Sequence, residues 1–278
     1  MYTQAYIIET ITNTHMGSGD TSFGVVDNLI QKDPVTSLPV FHGSSLKGAI
    51  KEHMQSRKLD PNDMKRIFGS DRGNLSDADN PGQVKFYEAR LLTLPLRASK
   101  RVYYQCTSTN AIFDCLDTFI QMGIVKEESI KELKEFFSKL SLDDDEFCIF
   151  NSELSDLEIE DYTKGRSKTI GNGEKEQLSG LTGCAPDCIA VFRDDLFKEI
   201  CEVSLPVIAR NCIGADGISE NLFYEEILPR RAKLWFMIGY DQRYTSFEKF
   251  LAEDVIQVGA NASIGYGAVK FYQMKGIG

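Results

Sequence analysis

Apolar and polar side chains alternate from the start of the chain. Residues 2–12, Y-T-Q-A-Y-I-I-E-T-I-T, are rich in β-branched and aromatic types and predict a strand. A glycine-bearing loop at 16–20 follows, and 23–27 reads as a short strand or turn that ends at Asp27. Residues 38–41, L-P-V-F, run straight into G-S-S. From Ser45 the period changes. Leu46, Ala49, Ile50 and Met54 fall on one stripe, which predicts a helix capped by Ser44 or Ser45. A short helix at 64–68, a polar loop at 70–82 and strands at 84–96 and 102–107 come next. Residues 109–122 and 127–140 carry helical periodicity on either side of Gly123. The segment 143–160 is acidic, with strands expected at 147–150 and 154–159. Residues 163–181 are polar and glycine-rich, lack the apolar content to pack, and read as a mobile excursion. Beyond it the pattern gives a helix at 194–200, a strand at 202–209, a Gly/Asp turn at 213–221 and strands at 222–228 and 234–240. A helix at 246–252 and a strand at 255–258 lead to G-A-N-A-S-I-G-Y-G-A-V-K-F-Y, a glycine loop running into a last strand. Strands and helices mixed without regular alternation predict an α+β fold.

Charge changes the picture through its distribution. The net charge of −10 argues against a polyanionic partner, yet residues 127–161 hold 13 acidic and 3 basic side chains, which accounts for all of it. The remainder is balanced, so basic surface is available there and the acidic block reads as a solvated face turned away from any polyanion. Seven cysteines, an odd number, are scattered from Cys106 to Cys212, and all three histidines precede residue 54. Cys184 and Cys188, with no histidine nearby, are a weak match to a four-ligand zinc site, and reduced, mostly buried thiols are the better reading. No apolar run approaches the roughly 18 residues of a membrane span, and no signal-peptide pattern opens the chain. The cytoplasm is the expected compartment, with no membrane partner.

Two stretches have the chemistry of phosphate contacts. Gly43, Ser44, Ser45 and Lys47 open the predicted helix, where unpaired amides, a partial positive charge and two hydroxyls converge, and Lys51 follows one turn later. An ordinary capped helix explains the same residues. The spacing is not that of a Walker A loop. Gly259–Gly267, G-A-N-A-S-I-G-Y-G, is either a backbone cradle or a tight turn where two backbones meet, and the strand after it rules out a dinucleotide fingerprint. Asp27, after Val25-Val26, can aim a carboxylate at a groove or sit in an exposed turn. His15, beside Gly17 and Gly19, can contact a phosphate, act as a general acid, or be merely solvated. Glu225 and Glu226, in L-F-Y-E-E, point to opposite faces if the segment is a strand. No Ser-His-Asp or Cys-His set stands out.

Together the motifs resemble a known family. H15-M-G-S-G, G24-V-V-D-N-L-I-Q-K-D33, L38-P-V-F-H-G-S-S-L-K-G-A-I50, Y87-E-A-R-L-L-T-L-P-L96, R210-N-C-I-G-A-D-G-I-S-E-N-L-F-Y-E-E-I-L-P229 and G259-A-N-A-S-I-G-Y-G-A are similar, in order, to the backbone subunit of type III-B CRISPR effector complexes. That is the fourth Cmr subunit, a RAMP protein. The resemblance implies a ferredoxin-like, RRM-like core in a single domain over 1–278, with an insertion at 109–192 and a thumb hairpin at 209–225. It implies copies stacked head to tail on CRISPR RNA beside other Cmr subunits. Each copy cuts the paired target RNA at regular intervals, by 2′-OH attack, with a divalent metal (Mg or Mn). Asp27 matches the catalytic aspartate and metal ligand, and His15, Glu225 and Glu226 match accessory positions near the cut. Arg210 and Asn211 fall in the thumb, and Gly259, Asn261, Gly265 and Gly267 in the glycine-rich loop, all on the RNA side. This chain has R-N-C-I-G-A-D-G where the family reads closer to R-I-R-I-D-x-x-T-G. A scaffold that binds RNA without cutting is the alternative.

Overall fold

The computed structural model describes residues 2–19, 24–70, 81–152, 155–213 and 218–274. The predicted first strand is β1 (Tyr2–Thr10), and both of its faces are buried, Tyr6 and Ile8 on one side and Ala5 and Ile7 on the other. β2 (Val40–Phe41) is followed at once by α1 (Gly43–Ser56), whose buried residues Leu46, Ile50 and Met54 are the predicted stripe. α2 (Pro61–Phe68) is capped by the Asp60 carboxylate, which accepts from the amides of Asn62 and Asp63. The single strand expected over 84–96 is two, β3 (Val84–Phe86) and β4 (Ala89–Arg97), because both pair with the strand 233–240 in registers one residue apart: the Tyr87 amide still bonds the Met237 carbonyl while Arg90 lies opposite Trp235.

β5 (Tyr103–Ser108), α3 (Thr109–Gln121), α4 (Lys131–Ser138) and β6 (Glu146–Ile149) match the pattern closely. The strand expected at 154–159 does not form. Glu153 and Leu154 lie outside the described residues, and Ile159 makes only isolated bridges to Ala98 and Tyr162. The expected excursion at 163–181 is instead β7 (Lys164–Ser167) and α5 (Asn172–Thr182). Three apolar residues suffice for it: Ile170, Leu178 and Leu181 are buried against α4 and its neighbours, Gln177 turns in to bond the Ser129 carbonyl, and most of the polar remainder faces outward. β8 (Ile189–Phe192) leads to α6 (Asp194–Val203), which overruns the strand expected from 202; Pro206 then stops the chain from continuing as helix. β9 (Val207–Ile213) and β10 (Ser219–Glu226) pair with each other in a separate two-stranded sheet. β11 (Lys233–Tyr240), α7 (Thr245–Glu253), β12 (Val255–Gln257) and β13 (Ala268–Gln273) close the fold.

Within the 11-stranded main sheet the central order is β13-β1-β11-β4, with every adjacent pair antiparallel. With α1 after β1 and α7 after β11, this is the β-α-β-β-α-β ferredoxin-like core. β5, β8, β6 and β7 extend the sheet beyond β4. α3, α4 and α5 cover the face that carries Ile7, Leu92, Trp235 and Met237, and Trp235 meets Phe119 edge-on with ring centroids 5.5 Å apart. RRM domains stack bases on aromatics of an open sheet face. Here that face is core, with Trp235 only 1% exposed, so any RNA surface lies elsewhere. Among the described residues no helix is long and apolar enough to cross a membrane.

The Trp235 Nε1–H is buried with no hydrogen-bond partner among the described residues. Trp235→Phe therefore removes an unsatisfied donor along with some volume and is expected to cost under about 1.5 kcal/mol, whereas Trp235→Ala costs about 3–5 kcal/mol. Denaturant unfolding of the two variants measures the difference.

Candidate nucleic-acid interface

The β9–β10 hairpin is joined to the body through its base. Residues 27 and 28 lie along the β10 edge, joined to it by an isolated parallel bridge. The amides of Asp27 and Asn28 both donate to the Tyr224 carbonyl at 3.1 Å, the Glu226 amide donates to the Asn28 carbonyl at 2.9 Å, and Asn28 bridges Glu225 in parallel register. Tyr224 returns the contact: its amide donates to Asp27 Oδ2 at 2.7 Å. Asp27 is exposed; Oδ2 is anchored on backbone, and among the described residues nothing else bonds the carboxylate.

The two following glutamates of β10 point to opposite sides, as strand geometry requires. Glu226, 4% exposed, accepts from the Ile30 amide on Oε2 at 3.1 Å and pairs with Lys32 through Oε1 at 2.9 Å. Glu225, 5% exposed, accepts on Oε2 from Arg210 and from Asn261 Nδ2, each at 3.0 Å. The Arg210 guanidinium also lies 5.9 Å from the rings of both Phe223 and Tyr266. His15, 5% exposed, has Nδ1 2.7 Å from the Glu226 carbonyl; a carbonyl only accepts, so Nδ1 carries the proton. Of the four sequence candidates for the cut, Asp27 alone faces outward. His15, Glu225 and Glu226 are turned into the joints between elements. Asp33 ends the segment: burial alone would raise its carboxyl, but bonds from the Thr36 amide and hydroxyl and the Val35 amide hold it below the usual carboxylate range.

α1 begins at Gly43, after an extended His42 that makes no side-chain cap, so neither Ser44 nor Ser45 is the N-cap. The amides of Gly43, Ser44 and Ser45 precede the first helical bond, from the Leu46 amide to the His42 carbonyl. Gly43 is required by packing, since a Cβ there would sit 2.5 Å from the Phe86 carbonyl. Gln31 stitches this helix end to the loop. Its Oε1 accepts from the His42 amide at 2.8 Å, and its Nε2 donates to the Gly17 carbonyl and to Ser45 Oγ at 3.1 and 3.2 Å. A cleft of about 580 Å³ opens here, lined by Gly17, Gln31, Ser45, His53, Gln257 and Gly259 among others. Lys47 and Lys51 are half-buried on the other side of α1 and do not line it.

The glycine loop is a place where backbones meet. Gly259, at φ +71°, would put a Cβ 2.3 Å from the His15 carbonyl, which also accepts from the Ala260 amide at 2.9 Å. Gly267, at φ +78°, would put one 1.9 Å from the Val258 carbonyl. Gly265, at φ +82°, faces open space, and Asn261 adopts the same left-handed conformation. Asn211 is exposed on β9 and accepts from the Ser219 hydroxyl at 2.6 Å.

Gln31, Lys32 and the Tyr224 backbone were not singled out by sequence reasoning. The signal for the first two was two long polar side chains directly after Leu29-Ile30, in a segment short enough that both must reach a partner. Among the described residues no three His, Cys, Asp or Glu side chains converge as a metal cage. The free oxygen of Asp27 is suited to a hard cation that keeps most of its waters and takes further oxygens from a phosphate.

The family model described as the RAMP superfamily matches residues 7–270. The chain is 29% identical over 290 residues to the CRISPR system Cmr endoribonuclease Cmr4 of Pyrococcus furiosus, covering 96% of this chain and 95% of that protein. Its fold is similar to a chain of the Type III-B Cmr-beta complex bound to cognate target RNA, with a TM-score of 0.77, 20% identity and coverage of 100% and 99%. Oligomeric Cmr4 from Pyrococcus furiosus has the same fold, with a TM-score of 0.69 at 20% identity, covering 98% of this chain and 99% of that one.

Two glycine substitutions separate backbone strain from close approach. Gly265→Ala is expected to cost about 1–2 kcal/mol, the strain of a left-handed alanine, and Gly259→Ala clearly more, because its Cβ also displaces the His15 carbonyl. Thermal unfolding of both variants checks the order.

Proposed function

The chain belongs to the RAMP superfamily, and from that premise we propose that it is the RNA-binding backbone subunit of a type III-B CRISPR effector complex and cuts the paired target RNA. The similarity to an endoribonuclease over 96% of the chain supports the activity. The observation that carries the assignment of the site is the outward carboxylate of Asp27, anchored through Oδ2 on the edge of a projecting hairpin.

RNA has two surfaces to use, because the sheet face is closed by α3, α4 and α5. The first turn of α1, whose Ser45 lines the cleft facing the glycine loop, offers the amides of Gly43, Ser44 and Ser45 to guide phosphates, and Lys47 and Lys51 add longer-range charge from the other side of the helix. Phosphate contacts of this kind position the strand without reading bases, and sequence is read by guide–target pairing. The hairpin, with Leu222 and Tyr224 exposed beside Asp27, meets the target strand. Other Cmr subunits and further copies of this chain are the protein partners, as the solved oligomeric relative suggests, and the cytoplasm is the compartment.

In the proposed reaction the free oxygen of Asp27 accepts the proton of the ribose 2′-hydroxyl. The 2′-oxygen bonds to the adjacent phosphorus and the bond to the 5′-oxygen breaks. That oxygen takes a proton from water, leaving a 2′,3′-cyclic phosphate and a 5′-hydroxyl. The Tyr224 amide fixes the carboxylate, so no reorientation is needed at the moment of reaction. A divalent cation (Mg or Mn) is part of the proposal; Asp27 would hold it through one of the cation's waters, so that its own oxygen still takes the proton, and when bound the cation would supply positive charge at the scissile phosphate.

The complex reconstituted with guide RNA is expected to cut a complementary RNA at regular intervals and to stop on chelation. Asp27→Ala should lower the rate by about 10²–10⁴-fold with guide binding retained. Cutting that survives Asp27→Ala removes the site assignment, and a wild-type complex that binds but never cuts leaves a scaffold.

A further inference from the structure

Lys32 links three elements. Its ammonium donates to Glu226 Oε1 at 2.9 Å, at the hairpin base, and to the Glu202 carbonyl at 3.3 Å, in the last turn of α6. Helix ends leave carbonyls unpaired and carry partial negative charge, so both contacts favour the cation. Glu226 is buried, and its other oxygen holds the Ile30 amide, three residues past Asp27. Lys32 is the one cation paired with this carboxylate among the described residues.

We propose that Lys32 is a positioning residue for the Asp27 loop, acting through Glu226; the proposal rests on the assignment of Asp27 to the cut. With the ammonium gone, Glu226 is an unpaired charge out of water, which is costly. It relieves that cost by swinging toward solvent, which takes Oε2 off the Ile30 amide. The 27–30 segment then loses the side-chain anchor behind its backbone pairing with β10, and the Asp27 carboxylate drifts. A misplacement of about 1 Å at a reacting group is worth about 100-fold in rate. Lys32 itself needs no contact with RNA in this account.

The test uses full complexes assembled with wild type, Lys32→Met, Glu226→Gln with Lys32→Met, and Asp27→Ala. Three quantities are read: single-turnover cutting at saturating target, target affinity, and hydrogen exchange of the Asn28 and Ile30 amides. Lys32→Met is expected to cut about 100-fold more slowly at unchanged target affinity, with faster exchange at Ile30. The double variant should recover most of the rate, because the glutamine carbonyl still accepts from Ile30 while no charge is buried. If Lys32→Met does not assemble, the double variant decides alone: assembly with cutting supports the proposal, and failure overturns it. A double variant no faster than Lys32→Met, unchanged rate and exchange in Lys32→Met, or a loss confined to target affinity overturns it too. Cutting that persists in Asp27→Ala removes the underlying assignment and the proposal with it. A dead Asp27→Ala beside a normal Lys32→Met removes this proposal alone.

Discussion

The pairing of residues 27 and 28 with the free edge of β10 is the constraint on which the site depends. A two-stranded hairpin is marginal by itself and swings about its base unless something holds it. Here the base is tied on both faces and along one edge. Glu225 reaches toward the glycine loop through Asn261 and Arg210, Glu226 toward the 15–32 loop through Ile30 and Lys32, and the Asp27–Asn28 backbone completes the edge. Both carboxylates are buried, so each contact is worth more than its surface equivalent and each is costly to break. Asp27 takes its fixed position from this joint and keeps its carboxylate at the surface.

The closed sheet face imposes a second constraint. A β-α-β-β-α-β core has one helical side and one open side, and α3, α4 and α5 occupy the open side with Trp235 and Phe119 at the contact. Under the proposed function nucleic acid meets the periphery of the sheet instead, where helix ends, the glycine loop and the hairpin offer amides and charge. The acidic block of 127–161 lies in the inserted part of the chain and contributes no residue to the cleft, so the excess negative charge is carried elsewhere than the cleft lining.

Much of this was legible from residues. The stripe Leu46, Ile50, Met54 gave α1, the apolar runs gave β1 and β11, and strand geometry alone said that Glu225 and Glu226 face opposite ways. The rest required tertiary information. Residues 163–181 carry too few apolar side chains to betray a helix, and only the waiting surface of α4 makes Leu178 and Leu181 sufficient. Gly43 and Gly259 suggested room for a phosphate, yet the backbone carbonyls of Phe86 and His15 occupy that room. His15 read as a loop histidine because nothing local reveals that a carbonyl over two hundred residues away binds its ring. The assignment of Asp27 to the cut came from family resemblance, and the structure adds what physically distinguishes it from its neighbours: it is anchored and outward at once.

The most direct measurement of the central claim is a structure of the assembled complex with guide RNA and a target carrying 2′-deoxy sugars at the cut sites. The Asp27 carboxylate, still held by the Tyr224 amide, is expected within about 3 Å, or one water, of the substituted ribose and its phosphate. An Asp27 that faces the guide strand, or lies beyond the reach of a single water from the target backbone, contradicts the account.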